Sequence, residues 1–447
     1  MLIYSEGDPA DLRQYAQGLE RFDALLRQRF GIAPDEGANP LTVYLLDKPK
    51  SVSHLLDRDH TAGFYSPASE GSFAIATRAA DRGGKALSGQ MTLFHEYTHH
   101  FMYRHLGAPW PAWYREGLAE YLSTVRFAPD GSWTAGTPPG RRLRRARDAR
   151  VPTAAFLAAD APATDAKTPR DFYAQAWLMV HLLESDPALK SRLDAYLAAI
   201  SSGEPSAAAA ARLGNPAELD RLLEAHAAKL PPAVASQFPV QSSPIPQVAA
   251  LDETASALVE LELARRTGRD PAATRDALAL LAQRFPNDAD VLYQLALAER
   301  AAGLSADATT DRLLALAPGH ARGHVLKAEL LVAAGSDRAP ILAELAQAAS
   351  LAPDDPFVLV SRYRIESQLV MPLTPEVARG VERAFALAPE SSAIRLSQAF
   401  ALASRGHFDD AEALARVMAY DPHAGPVGAK AMEALGAMRA QVAEPPG

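Results

Sequence analysis

Phe94-His95-Glu96-Tyr97-Thr98-His99-His100 is the stretch on which the reading of the chain turns. On a helix, residues four apart share a face, so His95 and His99 project side by side. Two imidazoles so placed can share one metal ion at about 2.0–2.1 Å each, which makes zinc the expected cofactor. Glu96 stands at the edge of the same face, where it can reach an attacking water without taking a coordination position. The flanks suit a helix. Ser88 is a possible N-cap, Met91, Phe94, Thr98, Phe101 and Met102 give it apolar or neutral faces, and Gly107 followed by Pro109 ends it. His100 points off the ligand face and reads as a hydrogen-bonded structural residue.

Working downstream, Pro111 opens a second helix through Trp113-Tyr114-Arg115-Glu116-Gly117-Leu118-Ala119-Glu120-Tyr121-Leu122. A catalytic zinc site needs three protein ligands, and three residues are candidates for the third: His105, Glu116 and Glu120. A helix that continues past Met102 carries His105 off the ligand face. Phe172-Tyr173-Ala174-Gln175-Ala176-Trp177 starts a further amphipathic helix, on which His181 reads as a core residue. The basic run Arg141, Arg142, Arg144, Arg145, Arg147 and Arg150 reads as a solvated face, with steering of an acidic substrate group as the other possibility.

His95-Glu96-x-x-His99 with Trp113-Tyr114-Arg115-Glu116-Gly117-Leu118-Ala119-Glu120-Tyr121 resembles the gluzincin metallopeptidases of the peptidase MA superfamily. The resemblance covers roughly residues 1–200. It implies an α+β, thermolysin-like catalytic domain and zinc-dependent peptide hydrolysis. It also implies Glu116 as the third ligand, Glu120 behind a histidine ligand, Glu96 as general base, and Tyr173 as hydrogen-bond donor to the transition state. Aminopeptidases of this group carry a Gly-x-Met-Glu-Asn strand before the zinc helix. This chain has Glu70-Gly71-Ser72-Phe73-Ala74-Ile75 there, with no acidic residue after the glycine, so an endopeptidase is at least as well supported.

Upstream, Leu2-Ile3-Tyr4 reads as a strand. Asp8-Pro9 caps a helix whose stripe is Leu12, Tyr15, Leu19, Phe22, Leu25 and Leu26, ending at Gly31. Leu41 to Leu46 is a buried strand. Residues 63–65 and 72–76 are further short strands, and the second of them is placed to be a sheet edge that pairs with an extended peptide.

At the other end, Pro231, Pro232, Pro239, Pro244 and Pro246 mark a linker over residues 231–250 that makes its two sides separable. Beyond it, residues 251–440 are rich in Ala and Leu. Pro286, Pro318, Pro353, Pro389 and Pro422 recur in steps of 32, 35, 36 and 33. That period resembles tetratricopeptide-like helical repeats, most clearly where Ala399, Gly406, Phe408, Asp409, Ala411 and Asp421-Pro422 fall. The expected architecture is a metallopeptidase domain over residues 1–230, the linker, and a helical solenoid that binds a protein partner or presents substrate.

With 447 residues and 48% hydrophobic composition, two or three domains each have a core. A net charge of −8 argues against nucleic-acid binding. There is no Cys, so thiolate ligands are excluded. No apolar run is long enough to span a membrane. The N-terminus as it stands has no signal-peptide pattern, which reads as cytoplasmic. Since residues 1–4 look like the middle of a strand, an upstream segment directing the protein to the periplasm or outside is left open. The rival reading is an interaction protein that keeps the fold without catalysis and works through its repeats.

Overall fold

The structure is a computed structural model. It describes all residues except 35–38, 57–62, 79–88, 138–139, 149, 159–168, 230–232, 236–238, 241–245, 371, 421–425 and 444–447. Ser88, Pro231, Pro232, Pro244 and Asp421-Pro422 therefore lie outside the described residues, as do the side chains of Arg141 and Arg142.

Among the described residues, the N-terminal part opens with β1 (Leu2–Ser5), α1 (Pro9–Phe30), β2 (Thr42–Leu46), α2 (Pro49–Leu56), β3 (Phe64–Ser66), β4 (Phe73–Thr77) and α3 (Gly89–Phe101). The caps of α1 are those its sequence calls for. The Asp8 carboxylate accepts from the Ala10 N–H, and Gly31 closes the helix at φ 67°. The sheet order is β1-β2-β4-β3, with β1, β2 and β4 parallel and β3 antiparallel to β4.

The edge next to α3 is thus β3. The strand at 73–77, expected at the edge, lies between β2 and β3. The physical reason is its burial: all five residues are buried, as a central strand covered on both faces requires. On one face Val43, Leu45, Ala74 and Ala76 pack with Leu19, Phe22, Leu93 and Phe94 of α1 and α3. The Phe22 and Phe94 rings stack at 4.0 Å and pin α3 to α1. On the other face Tyr44, Phe73 and Ile75 meet Val52 of α2 and Leu263, which comes from far along the chain.

α3 runs into a π-helical turn, Met102–Leu106, closed by Gly107 at φ 53°. α4 (Ala112–Leu122) follows and is buried on every side. It is crossed by α7 (Pro169–Ser185). Gly117 permits this approach, because a Cβ there would fall 2.5 Å from the carbonyl oxygen of Ala176. Between them lie β5 (Arg126–Phe127), β6 (Trp133–Ala135), α5 (Gly140–Asp148) and α6 (Thr153–Ala158). α8 (Pro187–Ser201), α9 (Ser206–Ala209) and α10 (Pro216–Ala228) complete the layer.

The proline-rich stretch is partly docked. β7 (Val234–Ala235) pairs with β6, and Val240 is buried in the N-terminal core.

From there the chain is helical: α11 (Glu253–Thr267), α12 (Pro271–Arg284), α13 (Ala289–Ala301), α14 (Asp307–Leu316), α15 (Ala321–Ala333), α16 (Arg338–Leu351), α17 (Pro356–Leu369), α18 (Pro375–Leu387), α19 (Ser392–Ala403), α20 (Phe408–Ala419) and α21 (Val427–Ala443). Each packs against the next, in series. The recurrent prolines sit in the turns after α12, α14, α16 and α18. A residue before proline is pushed out of the helical region. Phe285, Ala317, Ala352 and Ala388, each just before a proline, accordingly share φ of −124°, −131°, −138° and −141° and end their helices alike.

The array does not hang from a tether. Leu263 of α11 lies on the sheet, Arg104 meets Glu390 at 3.1 Å, and Arg115 donates to the Val417 carbonyl at 2.8 Å. No helix among the described residues is long and apolar enough to cross a membrane.

Candidate metal centre

α3 supplies His95 and His99 and α4 supplies Glu116. The Nε2 atoms of His95 and His99 are 3.1 Å apart, and each lies 3.5 Å from Glu116 Oε2. A tetrahedral ion with bonds of about 2.0–2.1 Å holds its ligand atoms about 3.3–3.4 Å apart, so the three atoms already stand on one face of such a tetrahedron. Glu116 is fully buried and His99 nearly so, with His95 the most open of the three. A buried carboxylate facing two imidazoles is a poor hydrophobic core and a good cation site, and two nitrogens with one oxygen suit zinc.

Glu120 is one turn along α4. Its Oε1 lies 3.6 Å from His95 Nδ1, the nitrogen turned away from the ligand atoms. Glu120 is not among the residues whose candidate ligand atoms cluster there, and it faces the side of His95 turned away from them. His105 is excluded as well. The π-helical turn carries it onto α1, where its Nε2 is 3.4 Å from Arg27 and its ring packs on Phe101.

Glu96 lies against Gly63, at the start of the edge strand β3. A Cβ on Gly63 would come within 2.9 Å of Glu96 Oε1 and 2.3 Å of the Thr92 methyl. The glycine therefore lets β3 run close alongside the carboxylate. Tyr65, on the same strand, has its Oη 3.1 Å from Nδ1 of the buried His100, which is the structural role expected of that histidine.

Tyr173 is near the start of α7 and half-buried, its ring edge-on to Phe172. It stands one turn before Ala176, where α7 crosses Gly117, the neighbour of Glu116. His181 is fully buried in the core, with Nδ1 2.9 Å from Nε2 of His226 and its ring against Tyr121 and Trp177. His226, the partner of this pair, stands on α10 with no spacing to announce it. Burial, with Lys229 nearby, lowers its pKa from the ordinary imidazole value.

Two arginines of the basic run make structural contacts. Arg147 donates to the Ala227 and Ala228 carbonyls at the end of α10, and Arg145 pairs with Asp171 at 3.0 Å.

Glu70, in the turn between β3 and β4, is held by Arg265 at 2.9 Å. Burial pushes its carboxyl up, but Arg265, Arg266 and Arg322 outweigh this and hold it below its usual range.

No protein-family model matches the chain, and no curated protein matches it.

Proposed function

We propose that the chain is a zinc-dependent peptidase of the gluzincin type, with a helical-repeat region attached. The observation that carries this reading is the ligand spacing of His95, His99 and Glu116, with Glu96 alongside and edge strand β3 beside Glu96. Zinc, when bound there, supplies Lewis-acid polarisation and acidifies a water to a pKa of about 7.

The chain's own residues do the rest. Glu96 accepts the proton of the attacking water and returns it to the leaving amine. Glu120 orients His95 through Nδ1. An extended peptide adds to β3 on the side away from β4, which brings its carbonyl alongside Glu96. Tyr173, in the role the family resemblance implies, donates to the developing oxyanion.

Glu70, the acidic residue before Gly71, is already paired with Arg265, which favours cleavage within a chain over removal of its first residue. A scaffold keeping only the fold would have no use for a carboxylate in the position of Glu96.

The test has two parts. Elemental analysis of the purified chain should find one zinc per chain, lost in His95→Ala, His99→Ala and Glu116→Ala and kept in His105→Ala. Glu96→Gln should keep the zinc and lower turnover of any peptide the wild type cleaves by about 10²–10⁴. Full turnover in Glu96→Gln refutes the mechanism. Zinc kept in Glu116→Ala refutes the ligand set.

A further inference from the structure

We propose that the helical array is part of the substrate-binding apparatus. Arg265 of α11 and Arg322 of α15 grip the turn joining β3 to β4 and so position edge strand β3 beside Glu96. This rests on the reading of β3 as the strand that receives peptide.

β3 is three residues long and, among the described residues, pairs with β4 alone. So short an edge ladder does not hold its own place. The turn after it, residues 67–72, would ordinarily be a mobile surface loop. Here it is wedged into the array. Arg265 donates to the Glu70 carboxylate at 2.9 Å and to Gln294 of α13 at 2.7 Å. Arg322 donates to the Glu70 carbonyl at 2.9 Å while Asp355, the N-cap of α17, holds its other nitrogens at 2.8 and 3.2 Å. Arg266 donates to the Gly71 carbonyl and lies over the Phe73 ring.

At the base of the turn, Glu390 accepts from Ser72 and from Asn39, and Arg104 of the metal-helix extension closes the same carboxylate. Both gripping arginines are anchored to the array first, by Gln294 and Asp355, and reach the hairpin second. That is the arrangement of a clamp and not of incidental surface pairs, which contribute little. None of the turn residues they hold belongs to the group His95, His99 and Glu116, so their effect on chemistry runs through the placement of β3.

The experiment uses the full zinc-loaded chain, as wild type, as Arg265→Gln/Arg322→Gln, and as Arg322→Lys. Amide exchange and peptide cleavage are both measured. The double variant should exchange about tenfold faster over residues 64–72, with α7 to α10 unchanged. Its KM for a peptide the wild type cleaves should rise about 10-fold with kcat within about twofold, because uniform binding is lost and the reacting groups are untouched. Arg322→Lys keeps one charged donor and should fall between.

Unchanged exchange over residues 64–72 overturns the clamp. Faster exchange with unchanged KM overturns its role in substrate binding. If the double variant also loses protection in α7 to α10, Arg322→Lys decides by the same two readouts. A wild type without zinc or peptide cleavage overturns the peptidase reading instead, while the exchange comparison still decides whether the array holds the hairpin.

Discussion

A chain ending at residue 250 should be far less stable in its N-terminal part than the same part of the full chain. The truncation removes α11 and with it Leu263 and Val259, which cover Tyr44, Phe73 and Ile75 on the outer face of the sheet. α2 still covers part of that face through Val52. Burying one large apolar side chain stabilises by about 1.5–3 kcal/mol. Half-uncovering three of them and losing the burial of Leu263 therefore costs about 4–7 kcal/mol. The polar contacts matter less: water replaces Glu390 and the Val417 carbonyl around Arg104 and Arg115, so their loss roughly cancels.

Against a total stability of about 5–15 kcal/mol, the loss is large. It corresponds to a drop in Tm of roughly 10–25 °C for a domain of this size. All four tryptophans, Trp110, Trp113, Trp133 and Trp177, lie before the truncation point, so tryptophan fluorescence follows the N-terminal part alone in both chains. A truncated chain melting within about 3 °C of the full one, with no exposed apolar surface by dye binding, would refute the packing argument.

Two further outcomes follow from the site and its surroundings. Glu120→Gln should still bind one zinc at saturation but with affinity lowered about 10–100-fold in chelator competition, since it orients His95 without ligating; an unchanged affinity would leave Glu120 a packing residue only. His226 has its pKa lowered by burial, so the unfolded chain binds the proton more readily than the folded one. Its contribution to stability is present above the unfolded value near 6.5 and is lost as the pH falls through the folded value. Urea unfolding between about pH 5 and 7.5 should show this slope in the wild type and a flatter one in His226→Gln; equal slopes would remove His226 as its source.

The helix of His95 and His99, and the helix of Glu116 facing it, were legible because their information is local. His95 and His99 are four residues apart, Glu116 and Glu120 are four apart, and helical geometry does the rest. The caps Asp8 and Gly31 and the proline-ended repeats are local in the same sense. The position of the edge was not local. Phe73-Ala74-Ile75-Ala76 is an unbroken apolar run, which is the mark of a strand covered on both faces, and that signal points to the interior of the sheet. What covers its outer face, Leu263, is nearly two hundred residues away, and no periodicity encodes such a pairing. Nothing in the sequence around Glu390, Arg104 and Arg395 marks them as buried. Only the docking of the array buries them. His226 was invisible for the same reason: a lone histidine on a helix acquires a meaning only from the residue opposite, His181.

The docking surface divides its labour between apolar and charged groups. Arg395 is almost fully buried, and its cation is held by two carbonyl oxygens, of Tyr103 at 3.0 Å and of Pro389 at 2.6 Å. Burial, with Arg115 close by, pulls its pKa down to about 10. A cation so placed is costly to bury, and carbonyl partners offset that cost only in part. The apolar contact of α11 with the sheet therefore carries adhesion that these buried charges do not supply. The buried arginines add direction: Arg395 can reach the Tyr103 carbonyl, and Arg115 that of Val417, in one alignment of array and metal helices. Arg115 immediately precedes Glu116, and Tyr103 follows His99 by one helical turn. The groups that set the register of the array are thus bonded to the backbone that carries His95, His99 and Glu116. A repeat array used only as an interchangeable adaptor would have no reason to bury charge at that contact.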